Sequence, residues 1–178
     1  DPSSMLLLNS ITVDNVSTSA DSSSGGLDVD DDSTVSSLSV AHITPVSIAS
    51  GKTLSGAITV SAGSIKLNET GMLASSVEMS GGVLDADESL TVSGVLTQSG
   101  DTTIDVLANK TLTYSGAPLS LGANTLTMSG GGTLSNTNAL VLNNAGSLLS
   151  LAGIVTIGNV QATDNASSGK GIQVFRES

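Results

Sequence analysis

The sequence predicts an all-β, right-handed parallel β-solenoid with three sides, short strands and a period of about 21 residues. The first observation is the recurrence of short apolar-polar-apolar triplets at steps of roughly seven residues between Asn109 and Ile157. The second is that only turn residues stand between them, as in Gly122-Ala123-Asn124, Ser129 to Gly132 and Asn143 to Gly146. The third is that a three-residue strand cannot hold itself together. Each triplet must therefore pair with its equivalent one period away, at about 4.8 Å per layer. Right-handedness follows from the general preference of parallel crossovers rather than from any residue.

Taken in order, the chain divides into residues 1–50, 51–163 and 164–178. Residues 1–50 read as an irregular amino-terminal cap or first coils carrying an acidic loop. Leu6-Leu7-Leu8 and Ile11-Thr12-Val13 are strand candidates, 17–26 has the composition of a flexible loop, and Pro45 breaks the pattern after Val40. From Thr53 the regular coil takes over. Its apolar pulses include Ile58 to Val60, Ile65 to Leu67, Val77 to Met79, Leu90 to Val92, Ile104 to Val106, Leu112 to Tyr114, Leu126 to Met128 and Leu140 to Leu142. Gly-rich corners such as Ser80-Gly81-Gly82 supply the positive φ that turning a coil requires. At a uniform period the whole chain makes about eight layers, a rod of roughly 40 Å. Residues 164–171 form a second loop-like linker that delivers Ile172-Gln173-Val174-Phe175-Arg176, a strong isolated strand signal.

The Leu-Thr-Leu and Leu-Thr-Met triplets, with their Ser-Gly-Gly and Asn-Gly-type corners over about Lys52 to Val160, resemble the parallel β-helix repeats of secreted bacterial adhesins, autotransporter passengers and related surface fibres. What the resemblance implies is an elongated extracellular structural protein. It names no ligand.

Composition narrows the function. Hydrophobic residues make up 38% of 178, enough for a real core, while charged residues are only 12%, so hydroxyls and amides must carry much of the solubility. With a net charge of −11 and no Lys or Arg before Lys52, nucleic acid and anionic membranes are poor partners. The chain has no cysteine, hence no disulfide and no thiolate metal site. It opens on Asp1 rather than Met, which implies processing or truncation, and Met5-Leu6-Leu7-Leu8 lacks the length and basic flank of a signal peptide. No stretch is long enough for a transmembrane helix. Sequons stand at Asn15, Asn68, Asn109 and Asn165.

Few residues suggest chemistry. His42 is the single histidine, so multi-histidine sites are excluded and a Ser-His-Asp relay would rest on it alone; no Gly-x-Ser-x-Gly accompanies it. Asp85-Ala86-Asp87-Glu88 offers paired carboxylates, yet Trp is absent and cations are scarce, which argues against a polysaccharide-active enzyme. The acidic run Asp28, Asp30, Asp31 and Asp32 has ligand character, since crowded hard oxygens suit Ca²⁺. It matches neither the EF-hand loop nor the glycine-rich nonapeptide of calcium-binding β-rolls. Thr-x-Thr at Thr111 to Thr113 and Thr125 to Thr127 resembles an ice-binding array but recurs in only two places.

The resulting expectation is a non-enzymatic extracellular structural protein, a subunit of a fibre, filament or adhesin stalk. A carbohydrate- or surface-binding module is the alternative, and a polysaccharide-active enzyme a distant third. Assembly is expected to be head-to-tail through terminal strands, using Met5, Leu6, Leu7, Leu8, Ile11 and Val13 at one end and Ile172, Val174 and Phe175 at the other. Uncapped solenoid ends are templates for strand addition, and such contacts do not close on themselves.

Overall fold

The computed structural model describes residues 5–17, 26–41, 44–67, 71–152, 156–162 and 171–175. They form 22 strands and no helix, wound as a parallel β-solenoid of about seven turns.

Face 1 is a nine-stranded sheet of β1 (Met5–Leu8), β3 (Gly26–Val29), β5 (Thr44–Ile48), β7 (Ser64–Leu67), β10 (Val83–Ala86), β13 (Thr102–Val106), β16 (Thr125–Ser129), β19 (Leu148–Ala152) and β22 (Gly171–Phe175). In the first turns a single long strand covers the other two sides: β2 (Thr12–Ser17), β4 (Ser33–Val40) and β6 (Thr53–Val60). β6 bends at Gly56, where φ is +123°, and pairs through Thr53 and Leu54 with β8 (Met72–Leu73) and through Ala57 to Val60 with β9 (Ser76–Met79). From there the sides run separately. Face 2 continues through β11 (Leu90–Val92), β14 (Thr111–Tyr114), β17 (Thr133–Asn136) and β20 (Thr156–Ile157). Face 3 continues through β12 (Leu96–Gln98), then β15 (Leu119–Ser120), β18 (Leu140–Leu142) and β21 (Val160–Ala162). Every strand pair is parallel, with one isolated antiparallel bridge between Leu107 and Gly131.

Period-two alternation turns each triplet's outer residues inward, and parallel register stacks them on their own kind. Leu84, Ile104 and Met128 form one buried column on face 1, Leu54, Leu73, Val92 and Tyr114 another on face 2, and Leu38, Ile58, Val77 and Leu96 a third on face 3. The narrow interior admits aliphatic chains in contact with the layers above and below, each burial worth about 1.5–3 kcal/mol.

The step is not constant. Ile65 pairs Leu84, nineteen residues on, whereas Ile104 pairs Met128, twenty-four on. The extra residues sit in the corners Leu107 to Lys110, Ser115 to Pro118 and Gly122 to Asn124, the first of them turned by Asn109 at φ +66°. Where the second of these corners lengthens, β12 and β15 do not pair, so the face 3 ladder is interrupted for one layer.

Candidate functional site

At the amino end, β1 pairs β3 in register, Leu6 opposite Leu27 and Leu8 opposite Val29. Both partners are buried, so Leu6 and Leu8 belong to inward columns. Leu8 is fully buried, but Leu6 is 39% exposed because no described layer lies above it; Leu7 and Ile11 are also exposed, and Val13 packs partly against the core. β1 thus presents one unpaired edge among the described residues.

The carboxyl end mirrors this. β22 lies parallel on β19, with Ile172 opposite Leu149, Val174 opposite Leu151 and Phe175 opposite Ala152. The terminal strand is therefore paired with its own body, and among the described residues its far edge has no partner strand. Ile172 and Val174 extend columns that are apolar for several layers, yet they are 56% and 66% exposed. Between them Gln173 is exposed.

The acidic run is stitched into the layers rather than gathered round a centre. Asp31 accepts from the Ser10 hydroxyl at 2.6 Å, from Lys52 Nζ at 2.6 Å and from the Asp32 amide at 2.9 Å; Asp32 Oδ1 accepts from the Thr53 amide at 2.8 Å. Lys52, then Ser10 and the Asp32 amide, hold the Asp31 carboxyl well below the usual carboxylate range, and Asp31 in turn raises Lys52. Asp28 faces outward on β3 and Asp30 is exposed at the corner. Among the described residues, no group of three or more His, Cys, Asp or Glu side chains is arranged to hold a metal ion.

The second carboxylate group behaves alike. Lys66 Nζ lies 2.7 Å from Asp87 and 3.8 Å from Asp85, and Glu88 pairs with Lys110. Asp85 stands between Lys66 and Asp105 in the outward column of face 1; burial first, then Asp87, push its carboxyl above the ordinary value. Asp105 accepts from the Ser129 hydroxyl at 2.7 Å. These partners lie about one turn apart, so the carboxylates serve as interlayer ties.

Thr-x-Thr acquires neighbours that its sequence spacing hides. Thr111, Thr133 and Thr156 stack on face 2, beside Thr91, Thr113 and Ser135. Two polar groups of the interior were invisible as such: Tyr114 is fully buried, and Asn136, which reads as a turn residue, occupies the next place in its column. His42, Asn68, Asn165, Arg176 and most of the two Ser/Gly-rich linkers lie outside the described residues.

Comparison with known protein families, with characterised proteins and with solved structures gives no significant match. Among the described residues, no helix is long and apolar enough to cross a membrane.

Proposed function

We propose that this protein is a non-enzymatic structural element of an extracellular surface fibre, filament or adhesin stalk, whose copies join head to tail through the two ends of face 1. The observation that carries the reading is that both terminal strands of one continuous parallel sheet expose apolar side chains at inward positions, Leu6 on β1 and Ile172 and Val174 on β22. A free strand edge beside uncovered core is a template for another strand. Solenoids that remain single cover such ends with polar or irregular structure. A heterologous contact of this kind propagates, and its product is a rod of many copies.

The interior supports a passive, load-carrying role. Buried columns of Leu, Val, Ile and Met occupy the positions next to every described strand of the middle turns, and charged side chains there are tied to neighbours one layer away. The extracellular setting rests on the resemblance of the Leu-Thr-Leu triplets and Gly-rich corners to secreted fibres. Electron microscopy of the protein at micromolar concentration tests the reading: unbranched filaments one solenoid wide are expected, and particles that stay single across the concentration range overturn it.

A further inference from the structure

We infer that the join between copies has a single register, with β22 of one copy lying parallel on β1 of the next so that Ile172 stands over Leu6 and Val174 over Leu8. The inference rests on the assembly reading above and adds to it the pairing and the polarity.

Side-chain parity removes half the possibilities. A slip of one residue would turn Gln173 into the core and put Ile172 and Val174 outside. Slips of two keep the parity but lose a contact. Placing Ile172 over Leu8 carries Val174 to Ser10, a polar corner residue, and placing Val174 over Leu6 carries Ile172 off the described strand. The stated register alone lets both apolar columns run on through the boundary.

Charge favours the same arrangement. Seven aspartates precede Lys52, the first Lys or Arg, whereas Lys170 and Arg176, two of only five such residues, flank β22 in the sequence. Two amino ends thus repel, whereas the carboxyl end, where Asp164 and Glu177 balance Lys170 and Arg176, carries no net charge to oppose the amino end. On the amino side, Ser10 heads a column in which Asp31 sits between the Ser10 hydroxyl and Lys52, the three spaced one turn apart.

The chain's lack of cysteine makes the register directly measurable. Leu7 and Gln173 are both exposed and face outward, and the inferred register sets them opposite one another at interstrand distance, within reach of a disulfide; Asn9, also exposed, would lie two residues away and out of reach. Single variants Leu7→Cys and Gln173→Cys, mixed at micromolar concentration under mild oxidation, should give a mixed dimer about tenfold faster than Asn9→Cys with Gln173→Cys. Lys170→Glu with Arg176→Glu should weaken association about tenfold at low salt and much less at high salt. Filaments that form without the 7–173 crosslink, or with the 9–173 crosslink favoured, overturn the register while leaving assembly standing. Variants that neither crosslink nor assemble, beside an unmodified chain that also stays single, overturn both.

Discussion

The hydroxyl of Tyr114 accepts a hydrogen bond from the amide of Leu96 at 3.2 Å and donates to the carbonyl of Ala117 at 2.5 Å, standing in for the backbone pairing that is missing between β12 and β15. Elsewhere on face 3 that amide position bonds straight to the next layer, as Val77 does to Val95 and Leu119 to Ala139. The longer corner ending in Pro118 prevents it here, and the one tyrosine in the chain repairs the fault. Tyr114→Phe should keep the ring's packing and lose about 1–3 kcal/mol, because the buried Leu96 amide is left without an acceptor and the part-buried Ala117 carbonyl loses its donor. Hydrogen exchange read at Leu96 checks it; unchanged protection at that amide would show that the hydroxyl does no bridging.

Asn136 continues the same column one layer on. Its Nδ2 donates to the carbonyls of Asn138 and Asn159, and its Oδ1 accepts from the amides of Gly158 and Asn159. All four capacities of the side chain are used inside the fold. Asn136→Leu, though apolar and of similar size, should destabilise by about 3 kcal/mol or more, since it strands several backbone groups at once. Thermal unfolding with a midpoint equal to that of the unmodified protein would contradict this.

Gly56 lies where β6 turns from face 2 to face 3. A Cβ there would come 1.7 Å from the Val35 carbonyl oxygen, and φ is +123°, so Gly56→Ala must move one layer away from the next. Gly51 is the control: φ is +75° but nothing lies within 4 Å. Gly51→Ala should cost about 1–2 kcal/mol of backbone strain, and Gly56→Ala distinctly more. Equal unfolding midpoints for the two variants would refute the close approach.

Two aspartates should respond to pH with opposite sign. The Asp85 carboxyl is raised by burial and by Asp87, so its favourable contribution is complete below the unfolded value, about pH 4, and is lost as pH rises through its folded value. Asp85→Asn should therefore be more stable than the unmodified protein at pH 7, with the difference vanishing toward pH 3. Asp31 is lowered by Lys52 and Ser10, so its contribution is present above about pH 4 and lost as pH falls through its folded value. Asp31→Asn should be less stable at pH 7, with the gap narrowing as pH falls below about 4. Unfolding midpoints across pH 3–7 check Asp85, and the same series carried to pH 2 checks the narrowing at Asp31; gaps that widen in acid would reverse the assignment.

The fold was legible because strands of a solenoid repeat their polarity on every turn: Leu112-Thr113-Tyr114 and Leu126-Thr127-Met128 declare alternation that no helix would keep. The ion pairs were latent in the same period, Lys52 standing twenty-one residues after Asp31, but carboxylates read one after another suggested a loop of ligands instead. Neighbours along a strand alternate sides, and their partners lie in other turns. Asn136 reads as a turn because asparagine favours turns; its burial depends on the Tyr114 column beneath it. The terminal strands were legible as strands. That β22 would rest on β19, with only its outer edge open, depends on a return path that composition does not encode.

Removing β22 tests the assembly account most directly. Sedimentation velocity of the full chain and of a chain ending at Lys170, each at matched micromolar concentration with far-UV circular dichroism recorded alongside, should show large species for the first and a single monomeric boundary with unchanged β signature for the second. A truncated chain that still polymerises, or a full chain that stays monomeric, would contradict the account.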